Sequence, residues 1–237
     1  MIAIPAIDIR EAACVQLVGG SYAEERVRLS DPRGVARTWY QCGFRRLHVI
    51  DLDAATSRGN NSPAINDLLG ERLADVQVGG GVRTSDRVRE LLNAGARYVI
   101  AGTRAIEEPA WLSDIAYNFP DRVILAADVR GRDIVTRGWE RTLPVDVLPF
   151  VDAVASLPLA GVLVTAVHVE GQLRGPDLDL VDAVVARSAA PIIASGGIRD
   201  LDDLRELQRR GAAAAVIGMA LYAGSLDARR VSEEFGG

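Results

Sequence analysis

The chain has 237 residues, 49% hydrophobic and 25% charged, which suits one large globular domain and excludes extended disorder. Its 27 basic and 32 acidic side chains give a net charge of −5 with no basic block, so nucleic acid is not an expected partner. No apolar stretch approaches the roughly 18 residues of a membrane span, and the opening Met1–Asp8, broken by Pro5, lacks the cationic start of a secretion signal; a soluble cytoplasmic protein without membrane contact is expected.

Along the chain, β-branched or aliphatic runs alternate with stretches of helical spacing. Strand Ile2–Ile9 precedes helix Pro32–Cys42, strand Arg46–Asp53 precedes helix Ser62–Leu69, strand Asp75–Val78 precedes helix Ser85–Ala94, and strand Tyr98–Ala101 precedes helix Pro109–Asn118. The pattern continues with strand Val123–Val129 and helix Asp146–Ser156, strand Gly161–Thr165 and helix Leu178–Arg187, strand Pro191–Ala194 and helix Leu201–Arg210, and a last strand, Ala214–Ile217. Eight such units over residues 1–237 predict a single (β/α)8 barrel, an α/β fold of typically about 250 residues. A doubly wound open sheet is the rival, but no GxGxxG follows the first strand.

An internal repeat favours the barrel and divides it into two similar halves. At an offset of 116, Gly80, Gly81, Arg83, Asp86, Arg89, Glu90, Leu91, Gly95, Ala96 and Gly102 all find the same residue type in the second half. A weaker echo at offset 120 matches Ile4-Pro-Ala-Ile-Asp8 with Ile124-Leu-Ala-Ala-Asp128. Duplication of a folding unit alone would preserve apolar core positions; here the repeated residues are largely Gly and polar, at predicted strand ends.

Barrel active sites lie at the C-terminal ends of the strands. Four Gly-containing turns fall there: Gly79-Gly80-Gly81 with Arg83, Gly102-Thr103, Ser195-Gly196-Gly197, and Gly218-Met219. Glycine lets backbone N–H groups converge on an anion, so two matched pairs of turns across the mouth predict a small-molecule substrate with a phosphate at each end. Asp8 and Asp128 end the first and fifth strands and are candidates for base and acid, with Thr165 near Asp128. Each aspartate could equally serve its own loop as a cap. His48 reads as a satisfied core histidine or a catalytic one, Trp139 as a stacking platform or a loop anchor, and His168 as a loop residue within reach of substrate. With only two histidines, and with Cys14 and Cys42 outside any CxxC, no metal site is expected and both thiols are expected buried in a reducing compartment.

Ile4-Pro-Ala-Ile-Asp8, His48-Val-Ile-Asp51-Leu-Asp53-Ala, Val78-Gly-Gly-Gly-Val-Arg83, Ala101-Gly-Thr103, Arg137-Gly-Trp139, Gly175-Pro176, Ala194-Ser-Gly-Gly-Ile-Arg199 and Ile217-Gly-Met-Ala-Leu-Tyr222 together resemble the phosphoribosylformimino-5-aminoimidazole carboxamide ribotide isomerases of histidine biosynthesis. The likeness spans essentially the whole chain. It implies an Amadori rearrangement of a bis-phosphorylated aminoaldose to an aminoketose without metal or organic cofactor. Matched position by position, it implies Asp8 as base, Asp128 as acid and Thr165 as the essential strand-six threonine. A monomer is expected.

Two loops depart from the family pattern. Glu11-Ala-Ala-Cys-Val-Gln16 stands where Asp/Glu-Gly-Lys-x-Val-Arg is usual, so Gln16 replaces an expected arginine; Thr165-Ala-Val-His-Val-Glu170 replaces Thr-Asp-Ile-x-x-Asp. Gln cannot reproduce the bidentate fork of Arg, so Gln16 and Glu170 are further candidates at the site and substrate recognition is expected to shift. The alternatives are therefore an isomerase that also or instead takes phosphoribosylanthranilate, to whose dual-substrate branch Asp53–Asn61 is similar, and a non-catalytic phosphate-binding barrel.

Overall fold

The structure, a computed structural model, describes residues 1–237. In chain order its strands are β1 (Ile2–Arg10), β2 (Ala13–Val18), β3 (Ser21–Leu29), β4 (Arg46–Asp51), β5 (Asp75–Gly79), β6 (Tyr98–Ala101), β7 (Val123–Arg130), β8 (Asp133–Thr136), β9 (Arg141–Asp146), β10 (Gly161–Ala166), β11 (Ile192–Ser195) and β12 (Ala214–Ile217). The eight expected runs are β1, β4, β5, β6, β7, β10, β11 and β12, which pair in that order as parallel neighbours. A final parallel ladder, from Ile2 opposite Ala214 to Pro5 opposite Ile217, closes the ring. With helices around it, this is the (β/α)8 barrel.

Strand parity builds two apolar layers. Ile4 and Ala6 of β1, Ile124 and Ala126 of β7, Leu163, Ile193, Ala214 and Val216 fill the barrel interior. The alternate residues, such as Ala3 and Ile7, or Leu125 and Ala127, join a larger layer with the helices. The two halves match in capping as well: Thr84 accepts the Arg87 N–H at 3.1 Å and Asp200 accepts the Asp203 N–H at 3.0 Å, each starting the helix of its half. Such a cap contributes roughly 1 kcal/mol.

Several expectations need correction. The strand expected over 46–53 stops at Asp51, whose carboxylate accepts the Ala54 N–H at 3.0 Å and turns the chain into a short helix, Leu52–Ala55. Pro191 lies outside β11, and the helix expected from Asp146 begins at Val147 with Asp146 as its cap. Cys14 is buried as expected, but Cys42 is only partly so. Two hairpins were not anticipated: β1 runs on into β2 and β3, and β7 into β8 and β9. Their registers are equivalent, with Asp8 opposite Val15 and Asp128 opposite Val135, so the duplication extends to these excursions. No helix is long and apolar enough to cross a membrane.

Candidate active site

The inward parity that buries Ile4 and Ala6 delivers Asp8 to the mouth of the barrel, and the same rule delivers Asp128 beyond Ile124 and Ala126, Thr165 beyond Leu163, and Ser195 beyond Ile193. All four line one cavity of about 1270 Å³, open mouth included. Gly80, Gly81, Arg83, Gly102, Thr103, Trp139 and Gly218 line it too, as do His48, Gln16 and Glu170. Gly196, Gly197 and Met219 line a small recess beside it, which shares Glu170 and Gly218. His168 lies outside both; its Nε2 faces Asp177 at 3.2 Å while Nδ1 accepts the Gly131 N–H at 3.3 Å.

Three carboxyl groups share this space. Burial alone pushes Asp8 from 3.8 up to about 7. Glu170 is also pushed up to about 7, first by burial and then by the charges of Asp8 and Asp128. Asp128 is raised by burial, but the Trp139 indole, donating at 2.8 Å, and the Thr165 hydroxyl hold it down. Thr165 stands directly opposite Asp128 in the β7–β10 ladder. Near neutrality the site therefore holds both protonated and ionised carboxyls, the condition for acid and base to work side by side.

His48 is buried, and its Nδ1 meets the Gln77 amide at 2.7 Å. Burial lowers its pKa to about 4, so it offers the cavity a neutral imidazole. Trp139 donates to Asp128 and packs its ring against Gly20 of the first hairpin, as a loop anchor would, and it also lines the cavity.

The glycine turns answer to packing as well as to any ligand. Gly80 has φ +91° and a Cβ there would run into the Asp51 carbonyl; Gly197 has φ +80° and a Cβ would meet the Gly175 carbonyl. The equivalent arginines differ. Arg199 pairs with Asp200 at 3.0 Å and Asp203 at 3.2 Å, whereas Arg83 meets only the Ala55 carbonyl at 3.1 Å and the Ser57 hydroxyl at 3.2 Å, leaving its charge uncompensated beside the first pair of turns. Arg104 is a lining residue that sequence reasoning missed. Its counterpart at offset 116 is Ala220, so the repeat carried no signal for it. Its guanidinium is held by Glu108 at 2.8 Å and lies over the Trp111 ring.

A (β/α)8 barrel with three buried carboxyl groups and two repeat-related pairs of glycine turns at its mouth defines a barrel enzyme acting on a small molecule. The histidine biosynthesis protein family matches residues 2–227, and the chain belongs to that family. It is 56% identical to a protein of Gemmatimonas aurantiaca over 236 residues and 55% identical to one of Myxococcus xanthus over 238, covering 100% of both chains in each case. A Desulforudis audaxviator protein is 39% identical over 230 residues, 95% of this chain and 88% of its own. All three relatives are named 1-(5-phosphoribosyl)-5-((5-phosphoribosylamino)methylideneamino) imidazole-4-carboxamide isomerase.

Proposed function

We infer that this chain is the aldose–ketose isomerase of histidine biosynthesis that converts the bis-phosphorylated aminoaldose phosphoribosylformimino-AICAR-phosphate to its aminoketose. The observation that carries the reading is the pair Asp8 and Asp128, facing one cavity from opposite strands of the ring, between two pairs of turns that the repeat relates. Full-length relatives bearing that isomerase name support it.

In this mechanism a carboxylic acid, assigned to Asp128, protonates the ribose ring oxygen. The C1–O bond breaks as the nitrogen lone pair forms C1=N⁺. Asp8 removes the C2 proton, and the electron pair moves into C1–C2 to give the enolamine and neutralise nitrogen. Loss of the C2 hydroxyl proton and protonation at C1 complete the aminoketose. C1 is reduced as C2 is oxidised within one molecule, so the reaction consumes no oxidant. Thr165 holds the Asp128 carboxyl, and the neutral His48 ring lines the same cavity. A second assignment of the acid is favoured by a specific observation: Glu170 is pushed up to about 7, whereas Asp128 receives two donors that favour its ionised form.

Each phosphate would take N–H groups from one pair of turns: Gly81 with Thr103, beside Arg83, and Gly197 with Gly218 near Met219, Ser195 and Gly196. Crystals soaked in high phosphate are expected to hold an anion at each pair; none at either would contradict a two-phosphate substrate. Under the same proposal the chain is one domain over 1–237, monomeric and cytoplasmic. The decisive assay presents the purified protein separately with the histidine-pathway aminoaldose and with phosphoribosylanthranilate, and turnover of the first is expected. Turnover of the second alone would overturn the reading.

A further inference from the structure

Three buried polar side chains that the proposed reaction does not use are tied together beneath the first hairpin. Asp51 ends β4, Asp53 follows it, and Asn61 precedes the helix Ser62–Gly70; all three are buried. The Asn61 Nδ2 donates to Asp51 Oδ1 at 2.7 Å, to Asp53 Oδ2 at 3.0 Å and to the Ile9 carbonyl at 3.2 Å. Asp51 also accepts the backbone N–H groups of Asn61 at 2.7 Å and Ala54 at 3.0 Å. Two buried carboxylates are thus met by N–H donors alone, and Asn61 is the one side chain bridging them.

The remaining bonds of this cluster run to the tip of the hairpin. Glu11 and Ala12 are the two residues between β1 and β2, since Arg10 pairs with Ala13. Both are left-handed, with φ of 49° and 61°. Two-residue hairpin turns of that kind normally need Asn or Gly, because a Cβ disfavours this backbone. Neither is present here. Instead the turn is held from outside: the Glu11 N–H reaches Asp53 Oδ2 at 2.7 Å and the Ala12 N–H reaches Asn61 Oδ1 at 2.8 Å. Beyond this turn β2 carries Gln16 into the cavity and pairs Val15 with Asp8.

We propose that Asn61 is a positioning residue for the reaction: it clamps the left-handed Glu11–Ala12 turn to the end of β4 and so holds the strand bearing Gln16 in register beside Asp8. This rests on the isomerase reading only through the activity assay. The clamp supplies from the second loop what the turn's own sequence lacks, so an intrinsically competent turn should not need it.

The test combines Asn61→Ala, Asn61→Asp and Ala12→Gly with hydrogen exchange and kinetics. Asn61→Ala is expected to speed amide exchange at Glu11 and Ala12 at least about tenfold, to leave β10 and β11 unchanged, and to lower kcat/KM for the aminoaldose at least about fivefold. Asn61→Asp keeps the shape but removes the donor shared by the two aspartates, and should show the same local pattern. Adding Ala12→Gly to Asn61→Ala should recover most of the lost kcat/KM, because glycine removes the Cβ penalty at the position Asn61 holds while Asp53 still holds Glu11. A merely structural asparagine would give exchange raised throughout the barrel and no rescue, which overturns the proposal. So would unchanged exchange at Glu11 and Ala12. If the wild type turns over no aminoaldose, the isomerase reading fails by itself; the exchange pattern and ribose 5-phosphate affinity, weakened by Asn61→Ala and restored with Ala12→Gly, then decide the clamp.

Discussion

Asp8→Asn is expected to lower kcat at least about 10²-fold, and Asp128→Asn to do the same, with the barrel folded in both. Each removes one proton-transfer group while keeping its volume. Asp8 makes no side-chain hydrogen bond that its loss would break, so its removal tests chemistry rather than packing. Near-normal kcat in either variant would remove that residue from the mechanism. The pH profile separates the roles further. With Asp8 at about 7, kcat/KM should fall below neutrality as the base takes up a proton. With Glu170 at about 7, it should also fall on the alkaline side if Glu170 is the acid, and Glu170→Gln should then abolish both that limb and most of the rate.

Stability should move the opposite way. Both groups have folded pKa values raised above their unfolded ones, so the folded chain binds more protons between about pH 4 and 7. Their contribution is complete below the unfolded values and is lost as pH rises through about 7. Asp8→Asn should accordingly melt above wild type at pH 8, with the gap closing toward pH 4. A lower melting temperature at pH 8 would show that the carboxylate is stabilised by its surroundings.

Gln16→Arg is expected to raise kcat/KM for at least one of the two aminoaldoses and to change their ratio about tenfold or more, roughly 1.4 kcal/mol of differential transition-state binding. Gln16 is buried rather than turned to solvent. Its Nε2 has no partner, and a Cβ on Gly218 would stand 2.5 Å from its Oε1, so the amide lies against the second pair of turns. A buried donor left without a partner costs about 1–3 kcal/mol. An arginine would bring charge to a cavity that already holds Asp8, Asp128 and Glu170, lowering their pKa values and attracting an anionic substrate group. If both rates stay within experimental scatter, this position does not set substrate choice.

The barrel strands were legible because both faces of each are buried, giving continuous apolar runs such as Val123-Ile-Leu-Ala-Ala. Asp8, Asp128 and the glycine turns were legible because the repeat shows them twice. The hairpin strand β3 was not: Ser21-Tyr-Ala-Glu-Glu-Arg-Val-Arg-Leu29 reads as a solvated segment, and it is ordered by backbone pairing to β2 and by pairs such as Arg10 with Glu25 at 3.0 Å. Nor could the chain reveal that Glu170 lies close enough to Asp8 and Asp128 to be raised by their charges, or that Asn61 reaches Ala12 across 49 residues. Those relations exist only once the ring has closed.

That closure sets the order of assembly. The β1–β12 ladder joins Ile2–Pro5 to Ala214–Ile217, so the first strand to leave the ribosome waits for nearly the last. Until then β1 and β11 each present an open backbone edge, able to pair with a neighbouring chain. Contacts of such long sequence separation are slow to form. A nascent chain arrested before β12 would therefore be the form most exposed to aggregation, although seven of its eight ring strands would already be made.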